Sequence, residues 1–186
     1  MIIKQLAPDV YQIGGFFSYA ELVCINDEFH GYTNSLGIKR DEYDNNIPPH
    51  LCLNKPSVGG VGDNMTLLSQ APRIKLLIKK LIHPSFDINL TRINTNIQFA
   101  GQESTFHTDG GPEWCWSAVL FNALNWNTQW GGEFTCLSNM GEYVYAPYIP
   151  GNLIIFDSTQ DHRGNCPNFS TKQFRTSVAW TYSKYK

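Results

Sequence analysis

The feature that most constrains the fold is a series of short β-like segments that follows residue 88. Glycine and proline separate most of these segments, and β-branched and aromatic residues are frequent within them. Short strands at this spacing predict an antiparallel sandwich or barrel. The segments are INLTRINTNIQF, ESTFHTD, WCWSAVLFNAL, GGEFTCL, EYVYAPY, GNLIIFDS and QFRTSVAWTYS.

Two amphipathic helices are predicted before these segments. In SYAELVCINDEFHGY, Ser18 is followed three residues later by Glu21, which is the capping-box pattern of a helix start. A second helix is predicted over residues 72–82, with Pro72 in its first turn and apolar residues at helical spacing. Both helices are expected to cover one outer face of the sheet. Their apolar faces comprise Leu22, Ile25 and Phe29, and Ile74, Leu77, Ile78 and Leu81.

The stretch between the two helices is expected to be a loop. Residues 37–64 are rich in glycine, proline, asparagine and aspartate, which favour turns over regular structure. There is room for a short hairpin within it. Loops of this length are often functional, so we expect part of it to close over a substrate.

Length and charge restrict the classes of protein and partner. A chain of 186 residues is most simply one domain over residues 1–186, with helical support and loop in 1–87 and the β core in 88–186. Fourteen basic and 16 acidic residues give a net charge of −2, which argues against binding to nucleic acid or an anionic membrane. The sequence does not indicate an oligomeric state.

Membrane and cysteine signals are also informative. No apolar run is long enough to span a membrane, and MIIKQLAPDV lacks the apolar core of a secretory signal, so a soluble cytoplasmic protein is expected. The five cysteines are odd in number and never form C-x-x-C. A disulfide framework or a structural zinc site is therefore not expected.

A histidine and an aspartate stand two residues apart in TFHTDGG. If this stretch is a β-strand, His107 and Asp109 point to the same face, because side chains alternate along a strand. An imidazole and a carboxylate on one face suit a divalent metal ion. The alternative is a chance pair, since most histidines are surface residues or satisfied core residues.

A metal site with two imidazoles and one carboxylate needs a second histidine. His30 lies in the first predicted helix, His50 in the loop, and His83 at the end of the second helix. Only His162 lies among the β-like segments, directly after the apolar run NLIIFDS, as at the end of a strand. In an antiparallel barrel, a distant segment can lie beside that of His107, so His162 is the candidate partner.

The last β-like segment has two different faces. Arg175 and Ser177 share one face with small residues, and this makes a slot with a cationic end that suits a dicarboxylate. The alternative is that the arginine forms an exposed surface ion pair. The other face is bulky and suits packing against the helices; it carries Phe174, Thr176, Val178, Trp180 and Tyr182.

Together, H-T-D at 107–109, the histidine at 162 and R-T-S at 175–177 resemble the Fe(II)- and 2-oxoglutarate-dependent dioxygenases. The resemblance covers roughly residues 88–182. Four further segments resemble the prolyl 4-hydroxylase-like branch of that superfamily. They are RINTNIQFAGQESTFHTD, NWNTQWGGEF, PGNLIIFDS and HRGNCP.

This resemblance implies a double-stranded β-helix, or jelly roll, supported by α-helices. It implies that His107, Asp109 and His162 are the catalytic iron ligands. It also implies that Arg175 and Ser177 bind the distal carboxylate of the co-substrate 2-oxoglutarate. The implied reaction uses O2, hydroxylates a C–H bond, and releases succinate and CO2.

Two positions depart from the family pattern. Many members have a tyrosine nine residues before the first ligand histidine, where this chain has Gln98. Collagen-type prolyl hydroxylases use a lysine ten residues after the second histidine, where this chain has Lys172. We favour Arg175 as the carboxylate ligand, because it has the R-x-S pairing and shares a face with small residues.

Two other groups of residues have open roles. Asn94, Asn96 and Gln98 alternate along one segment, and they line either the co-substrate cavity or a solvated strand face. Trp130 and Glu133 border the substrate, or else the two glycines between them simply permit close strand packing.

The leading substrate is a prolyl or similar residue of a protein or peptide, because the closest motifs resemble that branch. The first alternative is a free amino acid or another small metabolite. Nucleic-acid dealkylation is disfavoured, because no basic patch is present. A jelly-roll binding module without activity is a remote further alternative.

Overall fold

The structure is a computed structural model that describes most of the chain. The elements discussed below all lie within these residues. The described residues are 1–31, 38–39, 50–54, 65–82, 85, 87–109 and 115–184.

Eleven strands form two antiparallel sheets in the described part of the chain. The larger sheet has the order β1-β2-β9-β6-β11-β5-β4-β3, and the smaller has the order β10-β7-β8. The strands are β1 Ile2–Ala7, β2 Val10–Gly14, β3 Ile38–Lys39, β4 His50–Asn54, β5 Asn89–Gln98, β6 Cys115–Phe121, β7 Phe134–Leu137, β8 Tyr143–Ala146, β9 Leu153–Asp157, β10 His162–Gly164 and β11 Arg175–Ser183.

The two sheets and two helices form three layers. Side chains from both sheets meet in one buried cluster, which includes Phe121 and Phe156 from the larger sheet and Phe134 from the smaller sheet. The other face of the larger sheet packs against helices α1 (Tyr19–Gly31) and α2 (Met65–Leu81) in a second cluster. This arrangement is the helix-supported jelly roll that the sequence implied, so the predicted fold class is confirmed.

The first predicted helix is confirmed together with its capping box. The backbone N–H of Ser18 donates to Glu21 Oε2 at 2.7 Å, and the N–H of Glu21 donates to Ser18 Oγ at 3.3 Å. These reciprocal bonds satisfy groups that the first turn of a helix leaves unpaired. Leu22 and Ile25 are buried against the larger sheet, as their spacing predicts.

The second helix begins earlier than predicted. It starts at Met65, so Pro72 lies inside the helix and not in its first turn. Proline there removes one backbone donor, but tertiary packing of the apolar face stabilises the helix despite that loss. Ile74 and Ile78 are fully buried in the cluster beneath it. Neither helix of the described residues is long and apolar enough to cross a membrane.

Strand β11 joins helix α2 to the interior of the barrel. The indole N–H of Trp180 donates to the backbone oxygen of Leu67 at 2.9 Å, and the Tyr182 hydroxyl donates to that of Ala71 at 2.8 Å. The prediction that this bulky face packs against the helices therefore holds for Val178, Trp180 and Tyr182, whereas Phe174, which precedes the strand, is 52% exposed and its ring packs against Phe99.

Two hairpins precede residue 88, where mainly helix and loop were predicted. β1 pairs with β2, and β2 extends the larger sheet by pairing with β9. This first hairpin was missed, because its outer strand is exposed and shows no apolar alternation. β3 and β4 form a short hairpin inside the predicted 37–64 loop. The rest of that loop, and its proposed closure, lie outside the described residues.

The hydrogen bond between β11 and α2 gives a stability prediction. Tyr182→Phe removes only the hydroxyl group that donates a hydrogen bond to the backbone oxygen of Ala71. The free energy of unfolding should therefore fall by about 1 kcal/mol. Urea denaturation followed by tryptophan fluorescence measures this change. Tyr143→Phe is the matched control, because Tyr143 is 56% exposed and should leave the unfolding free energy unchanged. Equal stability of the two variants would contradict the assigned contact.

Candidate metal centre

Backbone pairing brings the two candidate histidines together. The N–H of His107 donates to the carbonyl of His162 at 3.0 Å, and the N–H of His162 donates back at 2.9 Å. Asp109 is held next to them by a bond from its N–H to the Ser158 carbonyl at 3.1 Å. One ligand atom from each of His107, Asp109 and His162 lies within 4.8 Å of the others.

The local structure around these ligands differs from the sequence expectation in two ways. Residues 102–106 are irregular, and His107 forms a single bridge instead of lying within a strand. His162 begins the separate strand β10 of the smaller sheet and does not end the strand that precedes it. The pairing between two distant segments still occurs, because β10 is an edge strand of the smaller sheet and its first residue, His162, forms a β-bridge with His107.

Both imidazole rings are oriented by backbone carbonyls. His107 Nδ1 lies 3.1 Å from the Thr105 oxygen, and His162 Nδ1 lies 2.9 Å from the Gln160 oxygen. With a proton on each Nδ1, the two Nε2 atoms carry lone pairs that can bind a metal. Burial lowers the pKa of His162 to about 4, although Asp109 opposes this, so the ring is neutral at pH 7.

Asp109 supplies the carboxylate in its charged form. Burial by itself raises its pKa, but the attraction of His162, which is protonated in the acid range where Asp109 titrates, together with the charge of Arg92 and the hydrogen bond from Ser117, outweighs that effect, and its pKa is lowered. Arg92 Nη2 lies 2.7 Å from Asp109 Oδ1, and Ser117 Oγ donates to Oδ2 at 2.5 Å. Two imidazoles and one ionised carboxylate fit Fe(II) and similar divalent ions.

A buried arginine lies close to this centre. Arg175 is 3% exposed; its Nε donates to the Gly132 carbonyl at 2.7 Å and its Nη1 to Gln98 Oε1 at 2.7 Å. Ser177 Oγ lies 3.5 Å from the same Nη1, so the predicted shared face is observed. Burial lowers the pKa of Arg175, with partial opposition from Tyr148, but arginine remains protonated in proteins.

Backbone and aromatic surfaces enclose the guanidinium group. A Cβ atom added to Gly164 would lie 2.8 Å from Arg175 Nη2, so only glycine allows this strand to lie against the guanidinium. Gly164 is two residues beyond His162, which places the arginine beside the candidate ligands. The rings of Phe121 and Tyr148 lie 5.7 and 5.4 Å from the guanidinium carbon.

Arg175 lacks a carboxylate partner among the described residues. None of the ion pairs found in that part of the chain includes it. Glu133, the acidic residue that raises its pKa, instead accepts a hydrogen bond from Asn165 at 3.0 Å. A buried charge without an opposite charge is costly, so this pocket suits an anionic ligand.

The other sequence candidates lie in different surroundings. Gln98 is buried and donates to Ser104 Oγ at 2.7 Å and to the Gly164 carbonyl at 2.9 Å, so it orients Arg175. Asn96 lies opposite Ser177 in the sheet and is half-buried; its role as a cofactor-binding residue stays a prediction. Lys172 is exposed, which disfavours the lysine alternative.

Sequence reasoning missed Arg92, Ser117 and Gly164 around these groups, and it gave Gly132 only a packing role. Gly132 and Gly164 shape the arginine pocket, and Arg92 and Ser117 contact Asp109. A signal existed for Arg92, because it continues the alternating series Asn94, Asn96 and Gln98 on the same face of β5. Close packing at Gly132 was among the sequence alternatives, but only the folded chain reveals that Arg175 lies against it and against Gly164.

No protein-family model matches the chain, and no curated protein matches its sequence. Solved structures do match its fold. A prolyl-4-hydroxylase from Pseudomonas putida has a TM-score of 0.72 at 16% identity, over 95% of this chain and 93% of that one. A prolyl hydroxylase from Trichoplax adhaerens, in complex with a hypoxia-inducible factor peptide fragment, has a TM-score of 0.76 at 16% identity, with 95% and 84% covered.

A third similar structure has a different activity. The epimerase SnoN, in complex with Fe3+, α-ketoglutarate and nogalamycin RO, has a TM-score of 0.69 at 12% identity, over 95% of this chain and 79% of that one. Because all three identities are low, these likenesses establish the fold. This chain therefore has the jelly-roll fold of the 2-oxoglutarate and Fe(II) oxygenases, as the sequence resemblance implied.

The ligand set gives a direct prediction about metal binding. The purified chain should bind one Mn(II) ion, used as a surrogate for Fe(II), and His162→Ala should abolish that binding because it removes one of three ligands. Isothermal titration calorimetry measures both. Asp161→Asn is the matched control, because this neighbouring acid is exposed and outside the ligand group. Unchanged Mn(II) affinity in His162→Ala would refute the assignment.

Proposed function

We propose that this chain is an Fe(II)- and 2-oxoglutarate-dependent oxygenase. The observation that carries the proposal is the buried Arg175 guanidinium, which lacks a carboxylate partner and lies beside a His-Asp-His group. A divalent ion with open coordination positions and an adjacent cationic pocket together match a co-substrate that has a chelating end and a distal carboxylate. The fold is compatible with the same chemistry.

His107, Asp109 and His162 are the residues that would hold Fe(II). When bound with 2-oxoglutarate and O2, Fe(II) supplies the oxidation of a substrate C–H bond, with release of succinate and CO2. The carbonyls of Thr105 and Gln160 hold the Nδ1 protons, so the imidazoles need no rearrangement before they bind the ion.

Arg175 would bind the distal carboxylate of 2-oxoglutarate. Gln98 and Gly132 accept from Nη1 and Nε, and these bonds fix the plane of the guanidinium group. Ser177 adds a hydroxyl donor on the same face. Phe121 and Tyr148 exclude water from the pocket, which strengthens a charge-assisted hydrogen bond there.

For the substrate, we propose a prolyl or similar residue within a protein or peptide. Two of the three similar structures are prolyl hydroxylases, and one of them holds a peptide. This part of the proposal rests on analogy of fold and motif, since similar folds act on different substrates.

A small-molecule substrate is the second candidate. SnoN has the same fold and was solved in complex with nogalamycin RO, so the fold also accommodates non-peptide compounds. Under this alternative, a free amino acid or another metabolite replaces the peptide, and the roles of the metal ligands and Arg175 are unchanged. A binding module without activity would need no co-substrate pocket. The buried Arg175, which lacks a carboxylate partner among the described residues, therefore disfavours that alternative.

The proposed activity is tested by substrate-stimulated succinate formation. The Fe(II)-loaded chain is incubated with 2-oxoglutarate and O2, and separate panels of proline-containing peptides and free metabolites are added. Peptides that raise succinate formation, with a mass increase of one oxygen atom, support the leading substrate class. Stimulation by metabolites alone selects the second candidate, and failure to consume 2-oxoglutarate would refute the activity.

Arg175 gives the sharpest prediction for this site. Arg175→Ala leaves the co-substrate carboxylate buried and unpaired, which should cost roughly 3 to 5 kcal/mol, or about two to four powers of ten in 2-oxoglutarate affinity. Ser177→Ala should weaken binding about tenfold, as expected for a hydrogen bond to a charged group. Calorimetry on the Mn(II)-loaded, O2-free protein measures both affinities.

Lys172→Ala is the matched control for these variants, because it also removes a positive charge but from an exposed side chain. It should leave 2-oxoglutarate affinity unchanged, and all three variants should bind Mn(II) normally. If Lys172→Ala abolishes co-substrate binding and Arg175→Ala does not, then the lysine arrangement is correct and the chosen strand face is wrong.

A further inference from the structure

We infer that Arg92 is a positioning residue that restricts Asp109 to a single metal-binding oxygen. The inference rests on the proposed metal site and concerns how its carboxylate is presented. A carboxylate can bind a metal ion through one oxygen or through both. Which mode occurs decides how many coordination positions stay open.

The two oxygens of Asp109 have different partners. Oδ1 lies 2.7 Å from Arg92 Nη2, whereas Oδ2 lies 3.8 Å from His162 Nε2. Oδ2 is thus the oxygen on the side of the histidine ligand atoms. Arg92 holds Oδ1 through a positively charged donor, which competes with a metal ion more strongly than the neutral Ser117 hydroxyl does at Oδ2.

The arrangement spans three neighbouring strands. Thr181 on β11 lies opposite Arg92 on β5 and opposite Ser117 on β6. Ser117 donates to Asp109 Oδ2 and is held by the Ser158 hydroxyl at 2.9 Å. Because Arg92 and Ser117 approach Asp109 from strands on opposite sides of β11, the carboxylate is fixed at both oxygens and cannot rotate freely.

An ordinary surface ion pair is a weaker account of Arg92. Exposed pairs contribute little, because both groups stay hydrated. Here the Asp109 side chain is only 14% exposed, and that of Arg92 is 38% exposed. Because water has little access to Asp109, it does not readily replace the hydrogen bond from Arg92, and that bond therefore fixes the orientation of the carboxylate.

Single-oxygen binding has a consequence for the reaction. A six-coordinate ion with one bond to each of three side chains has about three open positions. Two suffice for a chelating co-substrate and one remains for O2. If Asp109 bound through both oxygens, one of these positions would be lost.

The deciding measurement is the number of exchangeable waters on bound Mn(II), obtained from water-proton relaxation at saturating Mn(II) without co-substrate. The wild-type chain should hold about three waters on the ion, and Arg92→Met about two, because Oδ1 becomes free to bind. Arg92→Lys keeps the positive charge and a hydrogen-bond donor, both of which Arg92→Met removes. The number of waters on Mn(II) in this variant should therefore be closer to three. This readout does not depend on turnover.

Arg73→Met is the matched control. Arg73 lies on helix α2, away from the metal site, and it also pairs with a carboxylate, that of Glu21 on helix α1. It should keep the wild-type water count. Equal counts in the wild type and Arg92→Met would overturn the inference while leaving the metal site intact. Loss of Mn(II) binding in Arg92→Met would also overturn it, since Arg92 would then assemble the site instead of restricting it. Failure of the wild type to bind Mn(II) would instead remove the metal site itself.

Discussion

The antiparallel pairing of β11 with both β5 and β6 is the constraint on which the candidate site depends. All nine residues of β11 pair with β5, with one irregularity in that register between Thr181 and Tyr182, and the seven residues 177–183 also pair with β6, so the side chains of β11 alternate between two environments. Trp180 and Tyr182 reach helix α2 on one side, and Arg175 and Ser177 face the interior on the other. A shift of one residue would exchange these faces and place the guanidinium among helix side chains.

Arginine has two different physical roles in this interior. Arg92 is partly exposed and paired with the ionised Asp109, so its charge is balanced within the protein. Arg175 is enclosed by the Gly132 carbonyl, the main chain at Gly164, Gln98 and two aromatic rings, so hydrogen bonds orient it without neutralising it. Arg92, whose charge is balanced by Asp109, can orient that carboxylate, whereas Arg175, whose charge is not balanced, can attract an anion from outside the protein. The same type of side chain thus has the proposed role of positioning in one place and of binding in the other.

Strand patterns and the family resemblance allowed the fold class to be predicted, and they identified the three residues that the structure brings together as a His-Asp-His group. Alternation in QFRTSVAWTYS indicated which side chains share a face, and the capping box marked the start of α1. Predictions that depended on distant contacts were weaker. Helix α2 continues through Pro72 because packing offsets the lost donor, the exposed strand β1 has no apolar alternation, and the roles of Gly132 and Gly164 follow only from the arginine that lies against them.

The close approach of Gly164 to the Arg175 guanidinium limits how this pocket can change. That wall consists of main chain, so its position cannot be adjusted by exchanging one side chain for another. Variation in the length or shape of the anion must therefore come from replaceable side chains such as Ser177, whose Oγ lies 3.5 Å from Arg175 Nη1. Under the proposed function, an evolutionary or engineered shift from a five-carbon dicarboxylate to a shorter or longer acid would begin at such side chains, with the arginine and both glycines retained.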